Sequence, residues 1–478
     1  MEKRDPFTYE FSTYENSYVY DVNTNEVLKI DKKASDILKS LHSCENNVQA
    51  ISDNLVLNKM KSEGYLSSHR ISEIVHPENE LLEFNLNNKL NLLILQVTQQ
   101  CNLRCKYCPY SGGYYNREHA NRKMKFDVAR QAIDFYIKHS VDKDSLSVGF
   151  YGGEPLLEID LIKRCIDYVE QNGEGKAIFF NMTSNATLLT LDIVEYLQNH
   201  NVSLMVSLDG PEKVHDKNRD YCGGKGTFET VIRNLDAIRS EFPDYFKTIS
   251  FNCVMDMEND FGCINNFFTT FDVIKESEIR FSSLNDDYAK DKKEIDEEKY
   301  MVEYKYEIFK LFLSRIGKLD EKYVSKMVKD YYINLQTKIF EDRHRDVERE
   351  KGHPGGPCVP GTQRLFVDIY GNFYPCERVN ESSEVMRIGN ISDGFYVDKI
   401  RDILNIGKVT EKSCKNCWAY RFCYLCAAAA DDLKTLSPER KSKRCLEVRN
   451  NISRMLKEYC ILKENGDSFE RIKLSEYI

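Results

Sequence analysis

Apolar and polar positions alternate in three short runs near the start of the chain: Phe7–Thr13, Tyr18–Asp21 and Glu26–Ile30. A period of two reads as strand, and Asn23-Thr24-Asn25 supplies a turn between the last two runs, so a three-stranded meander is expected. Asp31 caps a helical stretch reaching about His42, and a second stretch runs from about Asn47 to Ser62-Glu63-Gly64. Strands followed by helices predict a winged-helix-like module over residues 1–80, with His76–Glu80 as a linker.

From residue 90 the period changes. Apolar runs at Leu92–Val97, Ser145–Phe150, Ala177–Met182, Val202–Leu208, Ile249–Met255 and Ile279–Phe281 alternate with amphipathic stretches such as Phe126–His139, Leu189–Asn199 and Phe228–Ser240. Strands with interleaved helices imply a parallel sheet, most simply a partial (β/α)6 barrel over residues 90–290, hence an α/β fold. A charged helical bridge follows at 291–352, its charges expected on a solvated face. Gly352–Pro360 is rich in Gly and Pro and marks a boundary. Residues 353–460 are cysteine-rich with little periodicity, and 461–478 form a tail.

Charge and composition narrow the function. The chain of 478 residues carries 67 basic and 76 acidic side chains, a net charge of −9. That balance argues against nucleic acid as the main ligand, because phosphate binding needs a basic surface. No apolar run approaches the roughly 18 residues of a membrane span, and Met1–Phe11 lacks the apolar core of a secretory signal. A cytoplasmic protein with no membrane partner is expected.

Cysteine is the exception to an ordinary composition, with 16 in the chain. In a reducing compartment clustered cysteines read as metal or redox sites. Cys101, Cys105 and Cys108 form one group, and Cys358, Cys376, Cys414, Cys417, Cys423, Cys426 and Cys445 another. Cys44, Cys165, Cys222, Cys253, Cys263 and Cys460 lie singly and read as small buried hydrophobes.

The first group follows the first barrel strand as C-x3-C-x2-C. Three thiolates can bind three irons of a [4Fe–4S] cluster and leave the fourth iron open to the amino and carboxylate groups of S-adenosylmethionine (SAM). Zinc is the rival, although it prefers four ligands and no fourth lies nearby. The motif, with Tyr107 before its third cysteine, resembles that of the radical SAM superfamily. Gly152-Gly153-Glu154-Pro155 at the second strand end resembles that family's GGEP motif, whose backbone and carboxylate hold the methionine amino group. Thr183-Ser184-Asn185 ends the third strand and Ser207-Leu208-Asp209-Gly210 the fourth, with Arg219 beyond. The resemblance implies that Ser184, Asn185, Ser207, Asp209 and Arg219 line the ribose and the methionine carboxylate. All lie at C-terminal strand ends, where α/β barrels build active sites.

The second group resembles the SPASM extension, which carries auxiliary iron–sulfur clusters; a pair of zinc sites is the alternative. The resemblance implies that Cys414, Cys417, Cys423 and Cys445 complete one [4Fe–4S] cluster, leaving Cys358, Cys376 and Cys426 for another, so that three clusters are expected in all. The last spacing of the tight group is two here where the family has three. One iron of the three-cysteine cluster would be open to a substrate thiolate, with a water, His353 or a distant cysteine as competing fourth ligands. Residues 1–80 resemble the peptide-recognition element of peptide-modifying enzymes, which binds a leader peptide as an added strand; Glu26–Ile30 is the candidate edge. The implied activity is a radical SAM maturase joining a cysteine sulfur to an unactivated carbon of a ribosomally made precursor. Its implied partners are that cysteine-containing peptide with its leader and a reducing flavodoxin or ferredoxin. The alternative is sulfatase-type oxidation of Ser or Cys to formylglycine, in which Glu377, following Cys376, would be the catalytic base. Pro109–Tyr115 with Arg117-Glu118-His119 resembles maturases of cysteine-rich peptides, or is a tyrosine-rich loop shielding the radical.

Overall fold

A computed structural model describes residues 5–42, 49–115, 118–173, 175–284, 288–290, 296–341, 350–355 and 358–469. Cys44, Arg117 and most of the expected tail lie outside the described residues. The opening meander forms as β1 (Thr8–Ser12), β2 (Ser17–Asp21) and β3 (Glu26–Ile30), an antiparallel sheet in the order β1-β2-β3. Asp31 accepts a hydrogen bond from the Ala34 N–H and starts the helix Lys32–His42. The second helical stretch is broken in two, Gln49–Asp53 and Leu55–Ser62, because the Asn54 side chain accepts from the N–H groups of Val56 and Leu57 and caps a new helix. A short strand, β4 (Glu73–Ile74), ends the front module.

Six barrel strands follow: β5 (Leu92–Thr98), β6 (Ser145–Gly152), β7 (Ala177–Ser184), β8 (Val202–Ser207), β9 (Ser250–Met255) and β10 (Ile279–Ser283). Each pairs in parallel with the next, as interleaved helices require. The near-continuous burial of β5, flanked on both sides, explains why Leu92–Thr98 is almost uniformly apolar.

The sheet does not stop at β5. Beyond β11 (Lys351–Gly352), which pairs with β4, the strands β12 (Leu365–Val367), β13 (Asn372–Tyr374), β14 (Gly389–Asn390) and β15 (Gly394–Phe395) extend it to ten. β12 lies parallel to β5, with Leu365 opposite Leu93. One core therefore runs from the barrel into the cysteine-rich region, taking in Phe366, Phe373, Met386, Ile400 and Leu404.

The bridge is more than a solvated segment. The helix Glu298–Arg315 buries Tyr300, Ile308 and Leu311 at helical spacing, and after Gly317 the helix Lys329–Leu335 buries Tyr332 and Leu335. Tyr300 joins the barrel's core, whereas Ile308, Leu311, Tyr332 and Leu335 share a second core with Phe7, Phe11, Tyr18 and Tyr20 of the front module and Val448, Ile452 and Leu456 of the last helix, Cys445–Glu464. That helix continues past residue 460. A third core, with Val19, Ile30, Leu38, Leu57 and Met60, lies within the front module.

Candidate active site

The barrel's C-terminal strand ends carry the first site. Cys101, Cys105 and Cys108 sit on the loop after β5, and each thiol lies in the electrostatic field of another. Burial pushes the Cys101 thiol up to about 12 and the Cys105 thiol up to about 11, Arg219 opposing the rise at Cys105. The Cys101 sulfur receives the Leu103 N–H at 3.3 Å and the Asn185 side-chain amide at 3.9 Å. Donors aimed at sulfur favour a thiolate, which is the form a metal takes.

The loop is held by the end of β6. The N–H groups of Gly153 and Glu154 donate to the carbonyls of Thr98 and Gln100 at 3.0 and 2.9 Å. A Cβ on Gly152 would lie 2.1 Å from the Thr98 oxygen, and one on Gly153 would lie 2.0 Å from the Gln100 oxygen. Both positions therefore demand glycine because of this backbone clasp, whatever lies above it. Glu154 is 1% exposed, and burial raises its carboxyl above the usual range. Its oxygens accept from Ser184 Oγ at 2.8 Å, the Asn185 N–H at 2.7 Å and the Leu156 N–H at 3.1 Å. A carboxylate has about four acceptor sites, so room for one further donor remains.

Asp209 and Arg219 meet beneath the loop. Arg219 Nε and Nη2 reach the Asp209 oxygens at 2.9 and 3.2 Å, both residues being buried. Tyr107 donates its hydroxyl to Asp209, and the Val254 N–H adds a donor at 3.1 Å. Asp209 has little free capacity, and this pair braces the cysteine loop through Tyr107. His215 continues the brace. Its Nδ1 accepts the Asp209 N–H at 3.3 Å, so the proton sits on Nε2, which faces Thr227 Oγ1 at 3.0 Å. Burial, with Arg219 nearby, lowers this imidazole to about 4 and keeps it neutral. Ser207 is buried at the end of β8.

The remaining seven cysteines fall into two sets by their mutual fields. Cys414, Cys417, Cys423 and Cys445 act on one another, and Cys358, Cys376 and Cys426 do likewise. Burial pushes the thiols of Cys376 and Cys423 up to about 12 and 11. Glu377 acts on Cys358 and Cys376; its Oε1 accepts from Arg364 at 2.6 Å while its buried Oε2 has no partner. His353, one competing ligand, is turned to the Pro354 carbonyl and the Gly407 N–H.

A single tetrahedral zinc would draw its sulfurs to about 3.8 Å of one another, given Zn–S near 2.3 Å. Among the described residues the group whose ligand atoms lie within 4.8 Å of one another is Asp167, Glu170 and His200, not a cysteine set. Of the single cysteines, Cys165, Cys253 and Cys460 are buried as expected, but Cys222 and Cys263 are exposed. Cys222 is held out by its place on the loop against Asn102, whose carbonyl its sulfur meets at 3.6 Å.

Comparison with known proteins agrees with this geometry. Residues 95–262 match the radical SAM superfamily. The radical SAM cyclopropyl synthase TigE of Paramaledivibacter caminithermalis is 26% identical over 263 residues, 52% of this chain and 54% of that protein; the chain thus spans about half of TigE. The cysteine-type anaerobic sulfatase-maturating enzyme of Clostridium perfringens (strain 13 / Type A) is 24% identical over 347 residues, 70% of this chain and 87% of that enzyme. The structure of native anSMEcpe with bound AdoMet shares the fold, with a TM-score of 0.58 at 21% identity over 78% of this chain and 99% of that one. No helix among the described residues is long and apolar enough to cross a membrane. The stretch that matches the radical SAM superfamily runs from within β5 to beyond β9 and carries Cys101, Cys105, Cys108 and Glu154.

Proposed function

We propose that the chain is a peptide maturase that joins a cysteine sulfur to an unactivated carbon in a ribosomally made precursor. Cys101, Cys105 and Cys108 would hold a [4Fe–4S] cluster, and Glu154 with Ser184, Asn185 and Ser207 would hold SAM. Bound together, that pair supplies a 5′-deoxyadenosyl radical able to take hydrogen from carbon. Glu154 offers its remaining acceptor site to the methionine ammonium, and the Asp209–Arg219–Tyr107 brace keeps the cysteine loop from shifting.

The observation that carries this reading is the three-cysteine set. Among the described residues, the thiols that act on Cys358 and Cys376 come from within this set. A [4Fe–4S] cluster takes four ligands, so one position is left for a substrate thiolate, a soft donor suited to iron. Glu377 Oε2, buried and without a hydrogen-bond partner, would accept the proton of that thiol. At the front, β3 is an edge of its sheet, which supports docking of a leader as an added strand. A reducing flavodoxin or ferredoxin would supply electrons.

The same carboxylate favours a second reading, oxidation of Ser or Cys to formylglycine, since sulfatase-maturating enzymes are among the relatives. Mass spectrometry of a cysteine-containing precursor treated with iron-loaded, reduced chain separates the two. Loss of two hydrogens per link, with cysteines shielded from alkylation, supports the thioether; a hydrazide-reactive aldehyde overturns it in favour of the second.

A further inference from the structure

We propose that Lys441 raises the reduction potential of an iron–sulfur cluster on Cys414, Cys417, Cys423 and Cys445, an inference resting on the assignment of that set as a cluster site. Lys441 is 2% exposed, on the short helix Pro438–Lys443. Its Nζ donates to Thr410 Oγ1 at 2.6 Å and to the Cys414 sulfur at 3.6 Å. Thr410 Oγ1 also meets that sulfur at 3.2 Å. The Lys441 carbonyl receives the Cys445 sulfhydryl at 3.8 Å, so this one residue touches two thiols of the set. Its side chain meets a hydroxyl and a thiol but no carboxylate among the described residues.

A buried ammonium without a counter-charge is costly. Four thiolates around a cluster supply that charge, so the lysine and the cysteines make sense together. Arg449 adds a second cation acting on Cys417. At the three-cysteine set the nearest charges are mixed: Glu377 acts on Cys376, and its Oε1 is paired with Arg364 at 2.6 Å and Arg378 at 3.7 Å. Positive charge and N–H donors at ligand sulfur favour the reduced, more negative cluster and raise its potential, whereas a nearby carboxylate lowers it. Lys441 therefore makes the four-cysteine cluster a better electron acceptor than it would be without the lysine.

The test is a redox titration of the iron-loaded chain followed by electron paramagnetic resonance. Lys441→Met should move the potential of one auxiliary cluster to more negative values and leave the cluster on Cys101, Cys105 and Cys108 unchanged. Lys441→Arg, which keeps charge and donors, should restore it. Thr410→Val, which frees the lysine from its anchor while leaving all four cysteines, should shift the same signal in the same direction. An unmoved potential in both Lys441→Met and Thr410→Val overturns the inference. Iron content tests the underlying assignment separately: Cys417→Ser with Cys423→Ser should remove about four irons per chain. If iron is unchanged in that double variant, the assignment of the site fails instead.

Discussion

Gly153 shows how a single hydrogen atom can decide a site. A methyl there would meet the Gln100 oxygen at 2.0 Å, one residue before Cys101. Gly153→Ala must push the cysteine loop off the end of β6. The expected outcome is a loss of about four irons per chain on loading, with a stability loss of about 1–3 kcal/mol from overpacking. Iron assay and thermal unfolding check the two halves. Asp209→Asn makes a different break. It strands Arg219 in a buried position, and removing one partner of a buried pair costs about 3–5 kcal/mol. A variant as stable as the parent would contradict the bracing role given to this pair. His215 adds a dependence on pH. An unfolded histidine takes up a proton near 6.5, whereas this one refuses it until about 4. Its stabilisation is therefore complete above about 6.5 and drains as the pH falls toward 4. At about 1.4 kcal/mol per unit the loss is on the order of 3 kcal/mol. His353, lowered to about 4 by burial, drains over the same window. His215→Gln should flatten, but not abolish, the acid slope measured by urea unfolding.

At the scale of elements, the front sheet is fastened to the cysteine-rich region by aromatic rings. Tyr9 stacks on Trp418 with ring centres 3.7 Å apart and planes 6° from parallel, and its hydroxyl meets Ser453 Oγ at 2.6 Å. Phe7 stacks on Tyr420, and Tyr20 tilts against Phe422. Trp418 is the sole tryptophan of the chain and stands next to Cys417, so its fluorescence reports on this junction alone. Tyr9→Ala should shift its emission and lower stability by about 2–4 kcal/mol, from lost burial plus a lost aromatic pair. An unchanged spectrum would mean that the junction is held elsewhere. These contacts were not legible in the sequence, where Tyr9 is one apolar position of an alternating strand and Trp418 one residue between cysteines. The barrel strands were legible because each apolar run is followed by a helix and a polar motif in order. The grouping of Cys101, Cys105 and Cys108 was legible from spacing alone, since three residues on one loop need no tertiary information. Asp209 with Arg219, and Lys441 with Cys414, join residues whose partnership depends on the fold; Lys441 reads in the sequence as one more surface cation in a basic run.

Over the whole molecule, the joining of β12 to β5 governs what can be separated. Leu365, Phe366 and Val367 form a strand too short to show a period, and their partners Leu93, Ile94 and Leu95 lie some 270 residues earlier. The boundary expected at Gly352–Pro360 therefore breaks the sequence pattern without breaking the core. A chain ending at residue 352 would leave the backbone edge of β5 unpaired and strip Phe366, Phe373, Met386 and Leu404 from the barrel's core. An exposed apolar edge of that kind invites association between chains. It would also remove Val448, Ile452 and Leu456, against which the front sheet packs. The barrel should therefore not survive as a fragment: residues 1–352 are expected to be insoluble or to lack cooperative unfolding. The full chain should lose the barrel and the cysteine-rich region in a single thermal transition. Circular dichroism and Trp418 emission followed on one melt provide the check, because Trp418 lies in the cysteine-rich region while most of the helical residues lie outside it. Two separated midpoints, or a soluble 1–352 fragment with a cooperative melt, would show that the ten-stranded sheet is divisible at β12.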